Sequence, residues 1–389
     1  MNFNQKIVSV GALVWLSFWM LSLVSADTFI QPPLLTEKGY PVPQPDRQIQ
    51  LPSAHGSHPE YAIEWWYWVG HLEAVESEET FGFQSTVFRI AGDPARDLCR
   101  GGSGAEFGDE QLFMSHAALS EVSKRRYSNI ERLHREGWQA RSAVGQLDLL
   151  AAPIRAIGLD GGQRFQMDFE LPGETRVELT LTPLKPIVAF GDRGLSRKGA
   201  DPAAVSLYWT YTRLAVEGKI LRAGEVTEVK GIAWQDHEIS SSQLGSDLEG
   251  WDWTAIQLFD GTEVKAYRLR QNDGGSDPWS AVYWIDEAAK VRGVYADQFE
   301  WQEDDYWRSP QTGLLYPTSV TIKATDPKDG QSKVYRLRPL FDAQEFVGNR
   351  PENPYWEGAC KVLDANGKEI GRAYLELAGY GGGLANQLN

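Results

Sequence analysis

Three stretches of this sequence set acids, and in one case an imidazole, among large aromatic rings. Glu64 directly precedes Trp65-Trp66-Tyr67-Trp68. A carboxyl group in such company loses water, and burial then raises its pKa, leaving it protonated and able to act as an acid. It could equally be one half of a buried ion pair with Arg89 or another arginine, a polar plug closing the floor of a barrel. Trp234-Gln235-Asp236-His237-Glu238 is the densest cluster of ionisable groups near a strand end. An imidazole with a carboxylate to orient it offers proton transfer near neutral pH. Successive residues of a strand point to opposite faces, so Asp236 and Glu238 face together and His237 faces away. A catalytic site and a hydrogen-bonded knot between domains both fit this stretch. Asp252, between Trp251 and Trp253, repeats the motif of an acid among rings and carries the same two readings. The candidate catalytic residues are therefore Glu64, Asp236, His237 and Asp252. The candidate ligand-binding residues are Trp66, Trp68, Arg89, His116, Trp234, Trp251 and Trp253, with His116 at a pocket mouth. His71 reads as a core histidine. The sequence has no HExxH or comparable metal-ligand spacing, no GxSxG elbow and no readable Ser-His-Asp pattern, so neither a metal nor another cofactor is expected.

The elements that hold these residues read as strands. Period-two patterning with aromatic and β-branched residues marks 81–89, 176–181, 205–214, 225–234, 251–258, 265–270, 281–285 and 373–377. Asp160-Gly161, Asp260-Gly261, Asp329-Gly330 and Asn366-Gly367 supply the positive φ of tight hairpins. One helix is expected over Ser128–Glu136, with Ser128 as N-cap and Gly137 as stop. An internal echo matches Trp65 to Trp251, Tyr67 to Trp253 and Leu72 to Leu258, with strands ending Phe88-Arg89 and Leu269-Arg270 following in each copy. An aromatic strand opening each half is what a duplication leaves behind. On the first copy, Glu64, Trp66, Trp68 and Leu72 share one face, and Trp65, Tyr67, Val69 and His71 the other. Both faces carry large rings, so one is expected to line a cavity and the other to pack against the sister half. The expected fold class is all-β: two tandem lipocalin-like antiparallel β-barrels packed against each other. The expected divisions are a signal peptide at 1–26, an extended proline-rich lead-in at 27–52, an N-terminal domain at 53–235 and a C-terminal domain at 236–389.

Composition narrows the partners. Trp, Tyr and Phe number 15 each, so rings carry much of the burial, and the enclosed ligand is expected to be an apolar small molecule. A net charge of −15 argues against nucleic acid, whose phosphates need clustered Lys and Arg. Lys6, the apolar run Ile7–Val24 and the small residues of Val24-Ser25-Ala26 predict export to the periplasm or beyond, with a mature start near Asp27; an uncleaved membrane anchor is the alternative. The two cysteines, Cys99 and Cys360, could pair in an oxidising compartment. Gly101-Gly102-Ser103-Gly104 reads as a flexible loop.

Taken in order, several motifs resemble one family. They are Glu64-Trp65-Trp66-Tyr67, Gly70-His71-Leu72, Phe81-Gly82-Phe83-Gln84 and Phe88-Arg89, then Gly191–Lys198, Gly231–Glu238 and Gly250–Trp253, and finally Tyr355-Trp356-Glu357-Gly358 and Glu376–Tyr380. Over about residues 55–380 the chain is similar to the AttH-like and hydroxyneurosporene synthase (carotenoid 1,2-hydratase) superfamily, and nearest its bacterial branch of predicted secreted hydrolases. The resemblance implies a pair of lipocalin-like barrels. It also implies an apolar, isoprenoid- or lipid-like ligand and, by family analogy, association with inner-membrane transport machinery. Three activities follow. In the first, protonated Glu64, Asp236 or Asp252 donates to a carbon–carbon double bond, aromatic faces stabilise the cation, and His237 or a carboxylate deprotonates the attacking water. The second is a non-catalytic periplasmic lipid carrier or chaperone, and the third a secreted hydrolase.

Overall fold

Alternating side chains, closed by tight turns, give an almost purely β molecule in the computed structural model, which describes residues 29–92, 111–245, 247–349 and 354–382. The expected signal peptide, Cys99 and the 101–104 loop lie outside the described residues. Cys360 is a free, buried thiol in the second half.

The strands from Ile63–Ala74 to Glu225–Ser240 form one antiparallel sheet of 13 strands, and those from Leu248–Leu258 to Glu369–Ala378 a second of 10. Each curls into a barrel. In the second, the strands at the two ends of the path, Val291–Tyr295 and Phe299–Arg308, are joined by a single 3-10 turn at Ala296–Gln298. The chain changes sheets between Ser240 and Leu248, a few residues beyond the 235/236 division read from the sequence. The four Asp-Gly and Asn-Gly pairs named above sit at hairpins, with their glycines at φ of +68° to +88°.

The echo holds in register. Trp65 lies opposite Phe88 and Trp251 opposite Leu269, so Arg89 and Arg270 occupy matching places. In each half the opening strand pairs with both the second and the last long strand of its sheet. The matched residues Tyr67 and Trp253 meet edge-to-face across the junction, with ring centroids 5.3 Å apart.

Strand alternation divides the core into three parts. Trp66, Trp68 and Leu72 point into the first barrel among Phe83, Phe113, Phe165 and Phe169. Ile256, Trp284, Tyr316 and Trp356 fill the second barrel. Tyr67, Val69, Trp234, Trp253 and Tyr374 form a third core between the sheets. Full burial of each large side chain contributes roughly 1.5–3 kcal/mol. Polar bonds cross the same junction: His71 Nε2 lies 2.9 Å from the Ala373 carbonyl, and Gln257 Nε2 donates to the carbonyls of Thr212 and Ala233.

Two expectations change. Residues Ser128–Glu136 are not helical. Arg126–Arg135 is a strand, paired along its whole length with Gln111–Glu121. The turn before it, with Arg125 at φ +47°, folds the chain back onto that neighbour, and ladder pairing overrides a mixed local propensity. The cavity also lies on the other face of the opening strand. Trp66 and Trp68 are packed into the barrel core, and it is the face bearing Trp65 and Tyr67 that borders open space.

Candidate functional site

Glu64 is fully buried at one end of the first barrel and has four partners. Its Oε2 accepts from the His58 backbone N–H at 2.9 Å, Arg89 Nε at 3.0 Å and Ser57 Oγ at 3.2 Å. Its Oε1 lies 2.9 Å from His58 Nδ1 and 2.7 Å from His237 Nε2. Burial alone would raise the pKa, but the bonds from His237 and His58 and the charge of Arg89 hold it well below the usual carboxylate range. Of the two readings of Glu64, the geometry is that of the ion pair with Arg89, because compensating donors outweigh desolvation. His58, Glu64 and His237 are the group of metal-ligand types that converges among the described residues. Arg89 supplies positive charge beside this carboxylate, so the group is arranged as an ion-paired plug, with His237 Nδ1 left buried and without a hydrogen-bond partner.

Asp252 repeats the arrangement in the second barrel. Arg268 pairs with it from directly opposite, Arg270 Nε lies 3.1 Å from Oδ1, and the Tyr380 hydroxyl donates at 3.0 Å. The expected acid is again one member of an ion-pair cluster.

The open space lies between the sheets. A cleft of about 1040 Å³ is walled by Phe88, Met114, His116, Trp251, Tyr355 and Glu376, with the lead-in residues Pro33, Leu35 and Tyr40 along one side. A narrower recess of about 100 Å³ adjoins it, sharing Phe88, Leu244, Trp251 and Glu376. The recess is lined by Trp65, Tyr67, Tyr208, Trp253 and Tyr267, with Asp236 and Glu238 among them. Such a surface, mostly apolar with a few polar groups, suits a small-molecule site, and the volume is at the upper end for one.

The charges here are arranged differently from those of the plugs. Glu376 lies directly opposite Glu357 on the neighbouring strand, and both face the junction. Burial, then the negative charges of Asp236, Glu238 and Asp252, push the Glu376 carboxyl up to about 8, although the Trp251 indole acts the other way. Glu357 rises well above the usual range through burial and the charge of Glu376, while Tyr67 donates to its Oε1 at 2.6 Å. No cation pairs with either carboxyl among the described residues. Asp236 differs again: Trp234 Nε1 donates to it at 2.7 Å, and the hydroxyls of Thr210 and Tyr208 also donate. Burial still raises its pKa, and Lys265 opposes the shift. Lys198 Nζ pairs with Glu238 at 2.7 Å. Lys265 is buried with no hydrogen-bond partner, its ammonium over the rings of Tyr208 and Phe190, and burial drives its pKa well below normal.

The sequence profile of the AttH-like family matches residues 42–380. The chain belongs to the AttH-like family. A crystal structure of a protein assigned as AttH from Nitrosomonas europaea is 30% identical, with 86% of this chain and 98% of that chain covered at a TM-score of 0.75. Kievitone hydratase from Nectria haematococca shares the fold at 11% identity, covering 90% of this chain and 97% of that one, with a TM-score of 0.64. CghA with Sch210972 is also 11% identical, with 89% and 96% covered and a TM-score of 0.51. No curated protein matches the sequence.

In this AttH-like chain the residues singled out from the sequence fall into separate places. Asp236, His116, Trp251 and Trp253 line the junction spaces, and Trp234 stands behind Asp236. Glu64, Arg89 and His237 form the first plug and Asp252 the second, while Trp66 and Trp68 are core. The residues not singled out are Glu376, Glu357, Tyr67, Tyr208, Tyr355, Lys198 and Lys265. A signal for Glu376 was present: an acid between Leu375 and Leu377 on a strand that alternation buries on both faces.

Proposed function

We propose that this protein binds an apolar, unsaturated small molecule in the cleft between its barrels and adds water to a carbon–carbon double bond. The observation that carries the reading is Glu376: a carboxyl kept protonated near neutral pH, without a cation partner, on the wall of an aromatic cleft. General acids work best with a pKa near the operating pH. Glu376 gives its proton to one alkene carbon as the π bond breaks. The cation left on the other carbon lies among the faces of Trp251, Trp253 and Tyr67, with the Asp236 carboxylate nearby. Water bonds to that carbon and loses a proton, and Glu376 regains one from solvent, so the net change is alkene plus water to alcohol. A structural relative named as a hydratase supports the reading.

Incubation with farnesol, geranylgeraniol and squalene, followed by mass spectrometry, tests it. A product heavier by one water that Glu376→Gln fails to form is the expected result; no such product from any unsaturated apolar compound would refute the reading. A carrier role is favoured by the size of the cleft alone, and predicts ligand retention unchanged by Glu376→Gln in native mass spectrometry. The apolar run before Asp27 supports export, which cell fractionation checks.

A further inference from the structure

Four side chains at one end of the cleft form an ordered line that the proton donor does not use. Gln84 Nε2 donates to the Tyr355 hydroxyl at 2.7 Å. The phenol oxygen is an acceptor in that bond, so its own proton is free for His116 Nδ1, 2.9 Å away. That direction makes Nδ1 the unprotonated nitrogen and puts the ring proton on Nε2, which lies within ion-pair distance of Glu131 Oε2, at 3.2 Å, but outside hydrogen-bond geometry. His116, Glu131 and Tyr355 all line the same cleft as Glu376.

The line is held from both halves of the molecule. His116 and Glu131 lie directly opposite each other on neighbouring strands of the first sheet. Phe346 of the second half stacks on the imidazole with centroids 4.5 Å apart, and Phe88 meets it edge-on at 5.4 Å. The Asn349 N–H donates to Glu131 Oε1 at 3.2 Å. Gly348 leaves room for the carboxylate: a Cβ there would lie 2.3 Å from Oε2.

We infer that Tyr355, His116 and Glu131 form the relay that activates the attacking water. The inference rests on the hydration reading above. Water gives a proton to the Tyr355 oxygen as the Tyr355 proton passes to His116 Nδ1. The hydroxide equivalent bonds to the carbocation, and the imidazolium is stabilised by Glu131 until solvent takes the proton. No free phenolate forms, in keeping with burial, which pushes the Tyr355 phenol well above its usual range. The spacing also fits. Glu376 lies opposite Glu357, and Tyr355 is two residues from Glu357 on the same face, so the backbones of Glu376 and Tyr355 are about 8 Å apart on the diagonal. Both side chains line the same cleft, so an acid and a water-activating phenol can face one bound alkene. Tyr355 would be the catalytic residue touching water, with His116 its proton acceptor and Glu131 a positioning residue.

The experiment is hydration of geranylgeraniol in D2O, with product and recovered substrate both analysed by NMR. Reversible protonation by Glu376 labels recovered alkene with deuterium, whether or not water adds. Tyr355→Phe and His116→Gln are expected to lose alcohol formation by at least about 100-fold while keeping the label. Glu131→Gln is expected to lower kcat about 10-fold at unchanged KM, with partial rescue by Glu131→Asp. Tyr355→Phe removes a single oxygen atom, so it remains informative if His116→Gln fails to fold. Alcohol formation at the wild-type rate in Tyr355→Phe would overturn the relay and leave the hydration reading standing. Wild-type protein giving neither alcohol nor label would overturn the hydration reading and the relay with it.

Discussion

Glu64 is a completely buried carboxyl group and Glu376 a partly buried one on the cleft wall, both on strands, and the molecule treats them in opposite ways. Glu64 has an arginine, two imidazoles, a hydroxyl and a backbone N–H around it, and stays ionised. Glu376 has another carboxyl opposite it and further acids nearby, and keeps its proton up to about 8. Burial is common to both, so burial does not decide protonation. The partners do, because a buried charge is tolerated only where opposite charge and donors replace the lost water. The first group closes a barrel. The second is placed to react.

Removing either carboxyl or its surroundings should separate the two roles, and the largest effect is expected in catalysis. Glu376→Gln should lower hydration by about 10²–10⁴-fold and leave the fold intact by circular dichroism. Survival of the rate would end the comparison. Arg89→Met should cost about 3–5 kcal/mol in urea unfolding, because it strips a buried carboxylate of its cation. An unchanged midpoint would mean that the histidines alone hold Glu64. Asp252→Asn tests whether the second plug resembles the first. With Arg268 also paired to Glu303, about 2 kcal/mol is expected from the same measurement.

The pH dependences sharpen the contrast further, with the smallest effects. A depressed pKa, as at Glu64, gives stability that is complete above the unfolded value of 4.5 and is lost as pH falls below it. A raised pKa, as at Glu376, works the other way. Between 4.5 and about 8 the unfolded chain releases a proton that the folded chain retains, so stability declines with rising pH across that window. Glu376→Gln should therefore gain stability over wild type at pH 9 relative to pH 5, read as a difference in urea midpoint between the two pH values. The hydration rate, which needs the protonated acid, should fall as pH rises through about 8.

Much of the architecture could be read along the chain. Period-two burial, the Asp-Gly and Asn-Gly turns and the echo of Trp65 in Trp251 are local patterns, and local geometry translates them directly into strands, hairpins and a repeated half. The two faces of Ile63–Ala74 were legible for the same reason, as was the opposition of His237 to Asp236 and Glu238. Ser128–Glu136 was misread because its composition fits a helix as well as an edge strand, and only the neighbour at Gln111–Glu121 settles it.

What chain order could not supply was neighbourhood across the junction. Arg89 faces Glu64 from the next strand and was within reach of the sequence, but His237 arrives from a strand 173 residues further on, and together those partners reverse the protonation that burial would impose. Glu376 and Glu357 become a coupled pair through ladder pairing, and Tyr355 meets His116 only because the two barrels pack face to face. Sequence by itself determined which side chains share a strand face and where the chain turns, since those depend on steps of one or two residues. Tertiary structure alone decided which acids keep a proton, because the electrostatic work of burying a charge depends on groups that strand pairing and the packing of the two halves bring within a few ångströms.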